Sequence, residues 1–318
     1  MKPVKIGISA CLLGEEVRFD GGHKRDRFLT DILGPHVEFV TICPEVEMGL
    51  GTPREPMRLV AAGTSGVRMI TTRTGIDHTD AMNRWAKRRL TDLAREHPDL
   101  CGYVLKKDSP SCGMERVKTY GRAGPPRRDG RGLFASAMID GFPSLPVEEE
   151  GRLGDPRLRE NFIERVFAFR RLKDLFTARW TVGDLVGFHA AHKMALLAHS
   201  PVKYTALGRM VASAAAMPRA ELRRAYEDQF MATLSIVATP KRHANVLMHM
   251  LGHFKKRLSS ESRDELYRTI EDYRVGLVPL VVPMTLLRHH ARAHRVTYLL
   301  DQVYLDPHPR ELMLRNHV

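Results

Sequence analysis

The sequence predicts an α/β N-terminal domain with a mostly parallel, Rossmann-like sheet over residues 1–155, followed by an all-α domain over residues 156–318. Three observations predict it. Short apolar runs alternate with helical periodicity through the first half, which is the β-α-β rhythm of a parallel sheet. Strand signals nearly disappear after Phe142-Pro143-Ser144-Leu145-Pro146. A chain of 318 residues is also long for one compact core, so two domains are the expected division.

In chain order, Lys5 to Ala10 reads as a strand, Arg25 to Leu33 as a short helix and Val37 to Ile42 as a second strand. After the proline-rich stretch Gly51 to Pro56, Met57 to Ala61 reads as another strand. Asp77 to His97 is a long amphipathic helix, with Ala81, Trp85, Leu90 and Leu93 at near-helical spacing and Pro98 just past its end. Leu100 to Leu105 follows as a strand. The basic, glycine-containing segment Arg127 to Ala135 matches neither a Walker loop nor a dinucleotide fingerprint, so no nucleotide cofactor is expected; it reads as a flexible loop ahead of a helix or strand. Val147 to Arg152 reads as an exposed connector. Beyond it, helices are expected over Asp155 to Leu175, Thr181 to Ala198, Ala206 to Ala216, Pro218 to Thr233, Thr239 to Leu258, Ser260 to Val275 and Pro283 to Leu300. Pro156 occupies a favoured first-turn position in the first of these.

With 43% hydrophobic and 27% charged residues, the composition is that of a globular protein in water. No apolar run approaches the ~18 to 20 residues of a membrane helix, and Met1-Lys2-Pro3-Val4-Lys5 leads straight into a strand, so a cytoplasmic protein is expected. The formal net charge of +13 points to a polyanionic partner, because clustered Lys and Arg displace counterions from phosphates. A solvated basic face would give the same total. Four cysteines are too few for a disulfide scaffold and suit metal binding or catalysis better.

Three of the four occupy equivalent places. Cys11, Cys43 and Cys112 each follow an expected strand, where ligands bind in parallel α/β sheets. Cys101 lies inside the Leu100 to Leu105 strand and reads as a buried core thiol. Three thiolates suit a soft metal, zinc or iron–sulfur. Close Cys-x-x-Cys pairs are missing, which argues against a structural zinc site. Three separated cysteines without a fourth suggest a [4Fe-4S] cluster with one iron unligated by protein, the alternative being inert thiols.

Ser9-Ala10-Cys11-Leu12-Leu13-Gly14, Arg18-Phe19-Asp20-Gly21-Gly22-His23-Lys24, Cys43-Pro44-Glu45 with Pro53-Arg54, and Ser109-Pro110-Ser111-Cys112-Gly113 together resemble the 2-thiouracil desulfidase family. Phe19 departs from the tyrosine common there, although an aromatic is kept. The resemblance implies a [4Fe-4S] cluster held by Cys11, Cys43 and Cys112, whose open iron takes the sulfur of a thiocarbonyl on a pyrimidine. Exchanging C=S for C=O needs an activated water. Glu45, two residues after a ligand, is the candidate general base, although a carboxylate there can equally cap the following helix. Ser109, one turn before Cys112, is the candidate for holding the substrate carbonyl or relaying a proton; an ordinary turn serine is the alternative. Ser9, Asp20, Lys24 and Ser111 are weaker candidates for shaping the pocket.

The second half carries most of the histidines. His189 and His192 fall on one helix face and can bind a metal given a third partner, but no metallopeptidase glutamate accompanies them, and packed or phosphate-facing histidines explain them as well. Lys255-Lys256-Arg257 complements a helix C-terminus. His189-Ala190-Ala191-His192-Lys193, His199-Ser200-Pro201, Leu207-Gly208-Arg209 and Tyr304-Leu305-Asp306-Pro307-His308-Pro309 resemble the helical YbgA-like domain. In chains that join it to a desulfidase domain, the resemblance implies a tRNA substrate, with 4-thiouridine converted to uridine. A base in folded RNA needs a basic platform and must leave its stack, which agrees with the charge. Desulfidation of free 2-thiouracil and a non-catalytic, cluster-bearing RNA-binding protein are the other readings. The oligomeric state is not legible.

Overall fold

The computed structural model describes residues 3–63, 66–121, 124–177 and 179–317, so Met1 and Lys2 of the expected strand entry lie outside them. Its strands are β1 (Val4–Ser9), β2 (Val37–Ile42), β3 (Met57–Ala61), β4 (Val67–Thr71), β5 (Leu100–Leu105), β6 (Val117–Tyr120), β7 (Arg127–Gly130) and β8 (Val147–Glu149). The first sheet has the order β2-β1-β5-β8 and every pairing in it is parallel. All six residues of β5 are buried, as a central parallel strand covered on both faces requires. Gly7 of β1 lies under the Tyr103 ring, where a Cβ would collide with it. Tyr103 in turn meets Phe134 edge-on at 5.8 Å, and Phe134 meets Trp85 at 5.5 Å.

The Phe134 and Trp85 rings come from the covering helices. α1 (Pro44–Glu47) is a single turn; α2 (Thr79–Glu96) buries Met82, Trp85, Ala86, Leu90 and Leu93; α3 (Leu133–Gly141) buries Leu133, Phe134, Ala135 and Met138. The parallel sheet, the long amphipathic helix and the strands bearing Cys11 and Cys43 at their ends match the expectation.

Several details differ from it. Met57–Ala61 belongs to a second, mixed sheet of order β4-β3-β6-β7, in which β3 pairs antiparallel with β4 and parallel with β6. The segment Arg127 to Ala135 is no flexible loop: its first four residues form β7, paired antiparallel with β6, and its end starts α3. The expected connector Val147 to Arg152 instead opens with edge strand β8, in which Glu148 and Glu149 are buried. Their carboxylates accept from Arg152 Nε at 2.6 Å and from the Met114 amide at 3.1 Å, which is how acidic residues come to be enclosed there. Of Arg25 to Leu33 only Phe28–Leu33 winds, as a wide π turn started by Asp26 accepting from the Leu29 amide at 3.0 Å.

Residues 1–155 form one compact unit and 156–318 another. The second is helical: α4 (Pro156–Thr177), α5 (Val182–Ala191), α6 (Lys193–His199), α7 (Pro201–Ala212), α8 (Arg219–Leu234), α9 (Pro240–Leu251), α10 (Ser260–Arg274), α11 (Val281–Ala293) and α12 (Thr297–Leu300). The starts are written in the sequence. Thr181 and Asp184 form a reciprocal capping box, while Ser200-Pro201 and Thr239-Pro240 place a capping hydroxyl before a proline. The expected continuous helix Thr181 to Ala198 breaks at His192, whose Nδ1 takes the Phe188 carbonyl at 2.8 Å. Pro283 to Leu300 likewise divides into α11 and α12, with Arg295 between them at φ 50. Among the described residues no helix is long and apolar enough to cross a membrane.

Of the readings open for His189 and His192, packing is the one the structure shows. His189 Nδ1 lies 3.1 Å from the Tyr226 hydroxyl and its ring stacks on Tyr204, while His192 stacks on Phe188. Both are buried packing elements.

Burial, with neighbouring arginines, holds His192 and His243 down to about 3 and His308 down to about 4. An unfolded histidine takes a proton near 6.5, so between about 6.5 and 4 the unfolded chain binds protons that the folded chain refuses. Stability should therefore fall as pH drops through that window, by up to about 1.4 kcal/mol per pH unit for each histidine. Urea midpoints followed by helical circular dichroism at several pH values will check this; a flat profile would contradict it.

Candidate active site

The first sheet runs β1 to β2 on one side and then returns to place β5 on the other side of β1, so the carboxyl ends of these three strands meet at a switch point. Cys11 follows β1 inside a 3-10 turn, Ala10–Leu13, that Gly14 ends at φ 99. Its carbonyl accepts the Lys24 amide at 2.8 Å. Cys43 follows β2 as the residue preceding α1, and its amide donates to Glu47 Oε1 at 3.3 Å. Glu47, rather than Glu45, thus serves the start of that helix. Cys112 sits in the loop after β5, where Ser109 Oγ accepts the amides of Ser111 (3.3 Å) and Cys112 (3.1 Å).

This third loop is fastened from behind. The Gly132, Leu133 and Ala135 amides donate to the carbonyls of Gly113, Pro110 and Ser111 at 2.8, 3.1 and 3.0 Å. The free amides of the first turn of α3 are thereby spent on the loop that carries Cys112. Gly132 is needed for closeness: a Cβ there would run into the Ser111 carbonyl and come within 2.9 Å of the Cys112 nitrogen.

The three thiols open on a pocket of about 410 Å³, lined also by Ser9, Lys24, Glu45, Ser109 and Ser111. Cys11, Cys43 and Cys112 are free thiols. Burial and the neighbouring Cys43 push the Cys11 thiol up to about 11, against the pull of Lys106 and Arg18. Burial and Glu45 push Cys112 up further, against hydrogen bonds from Ser9 and Ser111, and burial also raises Cys43. The thiols are near enough to repel one another as thiolates, yet no group of three His, Cys, Asp or Glu among the described residues is arranged around a single ion.

Glu45 is enclosed in a chain of polar contacts. Its Oε2 accepts from Arg54 Nε at 2.9 Å and from Arg54 Nη2, and its Oε1 accepts from Ser111 Oγ at 2.6 Å. Ser111 Oγ is 3.0 Å from Ser109 Oγ and 3.7 Å from Cys112 Sγ. Ser9 Oγ accepts the Lys106 amide at 3.1 Å, tying the β1 end to the β5 end. Asp20 does not line the pocket: its exposed carboxylate accepts the Gly22 amide at 3.2 Å and pairs with Arg18 at 3.3 Å, closing a turn. Cys101 also lies elsewhere, its Sγ donating to the Asp99 carbonyl at 3.1 Å.

Sequence reading gave no role to Arg54, Lys106, Arg18 or Glu150. Arg54 grips Glu45 across the proline-rich loop, and Lys106 pairs with Glu150 past the end of β8. The only signal available was the presence of Arg18 and Arg54 inside the quoted motifs.

A parallel-sheet α/β unit that gathers three free thiols and an arginine-held carboxylate at its switch point defines a thiol-centred ligand site. Residues 6–150 match the model of the 2-thiouracil desulfurase family, and residues 193–309 match a family described only as a protein of unknown function, DUF1722. The chain belongs to the 2-thiouracil desulfurase family over its first half and to the family of YbgA over its second. YbgA of Escherichia coli K12, an uncharacterized protein, is 32% identical over 161 residues, 50% of this chain and 95% of YbgA. YbbK of Bacillus subtilis 168, also uncharacterized, is 34% identical over 113 residues, 34% of this chain and 72% of YbbK. A solved structure of TudS, a [4Fe-4S]-dependent thiouracil desulfidase, is 34% identical and covers 47% of this chain and 93% of its own, with a TM-score of 0.38.

Replacing Gly132 by Ala should push the Cys112 loop out of place, costing about 1–3 kcal/mol as overpacking does. The Cys112 thiol, 5% exposed in the native chain, should then react faster with a maleimide. An unchanged labelling rate together with unchanged stability would refute the buttress.

Proposed function

We propose that this chain is a cytoplasmic, iron–sulfur-dependent desulfidase that converts thiouridine in tRNA to uridine, with Cys11, Cys43 and Cys112 holding a [4Fe-4S] cluster. The donor set fits such a group: three soft ligands line one pocket, and burial opposes their thiolates unless a metal takes up the negative charge. When bound, the cluster supplies a Lewis-acidic iron that accepts sulfur.

The overall exchange is hydrolytic. Water adds through oxygen to the thiocarbonyl carbon, the C–S bond breaks, both water protons end on sulfur or solvent, and no electrons are gained or lost. The chain's task is to hold water and the ring and to move a proton. Glu45 is the base, oriented by Arg54 so that Oε1 faces the pocket. Ser111 links Glu45 to Ser109, giving a path of hydrogen bonds from the substrate's side of the pocket to the carboxylate. Lys24, Ser9 and the Phe19 ring complete the wall.

The observation that carries the tRNA substrate is the second sheet. A concave basic surface formed by Arg58, Lys118, Tyr120 and Arg128 shares Met57, Asp108 and Pro110 with the thiol pocket. Arg58 lies 5.1 Å over the Tyr120 ring. Cations and a ring beside a deep pocket suit a phosphate backbone whose base is turned inward. Free 2-thiouracil is the second reading, favoured by the substrate named for TudS.

Protein purified anaerobically should absorb in the region of about 400 nm, where iron–sulfur charge transfer falls, and lose that band on Cys43→Ser. Glu45→Gln should keep the band and lose about 100-fold or more in turnover, as expected for a missing general base; full turnover would leave a binding protein without catalysis. Arg58→Ala with Lys118→Ala should reduce activity on thiolated tRNA and spare activity on the free base. Equal losses on both substrates would overturn the tRNA assignment.

A further inference from the structure

The enclosed histidines of the helical unit each spend a ring nitrogen on the protein. Nδ1 of His189, His192, His199 and His243 lies within hydrogen-bond distance of the Tyr226 hydroxyl, the Phe188 carbonyl, the Ile236 carbonyl and the Tyr304 hydroxyl, at 3.1, 2.8, 2.6 and 2.8 Å. His249 and His253 differ. Both are exposed, and among the described residues no hydrogen bond or ion pair engages either ring.

The backbone brings these two side chains together. His249 stands in the last turn of α9, and His253 lies in the 3-10 turn Gly252–Phe254 that prolongs it. Gly252 keeps a helical backbone, at φ -57 and ψ -26, so residues four apart lie one above the other on a single face. The ring centroids are 5.6 Å apart, with the planes at 81°. Two imidazoles that share an ion about 2.1 Å from each nitrogen have centroids about 5 Å apart, so small side-chain rotations suffice to bring both nitrogens to one ion. Tyr298 of α12 lies against the His253 ring, 4.9 Å between centroids and tilted by 30°, and limits how far that ring can turn.

The opposing charge is Lys193 of α6. Burial and this cation hold His249 below the usual histidine value, and burial, His249 and Lys193 do the same to His253. A cation that discourages a proton discourages a metal ion too, so affinity here has to come from two ring nitrogens acting together. Among the described residues no group of three His, Cys, Asp or Glu is arranged around an ion, which leaves water for the remaining positions. Imidazole donors select zinc, nickel and copper over hard cations. His290 and His294, at the end of α11, have the same spacing in sequence but are less well disposed. Their rings are 6.1 Å apart, and His290 is half-buried with its ring 6.4 Å from that of Phe254.

We propose that His249 and His253 together bind a divalent ion of the zinc, nickel and copper class, with water completing its shell, across the last turn of α9. The site is separate from the thiol pocket and does not draw on the desulfidase reading; either can fail alone.

Zinc chloride titrated into the full chain, with the histidine ring nitrogens isotope-labelled and followed by NMR, tests it. A residue-level readout is needed because the three thiols also take zinc. The His249 and His253 ring signals should shift together along one saturable curve. His249→Ala should weaken the zinc response of His253 about tenfold or more, because a lone imidazole loses the effective concentration that the pair supplies. His290→Ala should leave both responses unchanged. Both substituted side chains lie outside the buried core, and the remaining ring signals report whether each variant keeps its fold. Absence of a saturable shift at either ring, an undiminished His253 response in His249→Ala, or a response at His290 and His294 at lower zinc would overturn the proposal.

Discussion

Everything in the N-terminal unit follows from β1 being held in parallel register between β2 and β5. That register aligns three carboxyl ends at one level, so the residue after each strand arrives at the same pocket without any loop having to reach far. Cys11 and Cys43 need only a single turn to present their sulfurs. Cys112 comes from a longer loop, and that loop is the one supported by α3, by Ser109 and by the close approach of Gly132. The support is distributed where local geometry alone would leave the position soft.

The Glu45–Arg54 pair shows how the enclosed polar groups are afforded. Both side chains are nearly buried, at 12% and 7% exposure. Removing one partner from such a pair costs about 3–5 kcal/mol because the other is left charged and dry, whereas the intact pair contributes little net stability. Its value is orientation. Arg54 also donates to the Val17 and Gly51 carbonyls, at 3.0 and 2.9 Å, so it anchors Glu45 to two loops at once. The carboxylate cannot turn away from Ser111 without breaking several contacts together.

Periodicity made β1, β2, β3, β5 and α2 legible to within about two residues at their ends, because burial on both faces or along one stripe leaves a pattern in the chain. It did not reveal β7, since Arg127-Arg128-Asp129-Gly130 has exposed side chains and owes its strand to pairing with β6. Nor did it reveal β8, where buried Glu148 and Glu149 look like a solvated connector until Arg152 and the Met114 amide are placed beside them. The positions of Cys11, Cys43, Glu45 and Ser109 around one pocket were readable from strand ends and motifs. Arg54 and Lys106 were not, since their partners are set by tertiary folding. Asp20 is placed away from the pocket for the matching reason, its carboxylate being occupied by a turn, while His189 and His192 are packed among aromatic rings, one of the readings the sequence left open.

The fastening of the Cys112 loop has a temporal side. Its supports are Gly132, Leu133 and Ala135, and beyond them Glu150, whose carboxylate binds the Lys107 amide at 2.7 Å and Lys106 at the other oxygen. All of them follow the loop in the chain. The loop that carries Cys112 therefore has its full set of contacts only once the chain through Glu150 has been made. The pocket is therefore a late product of translation.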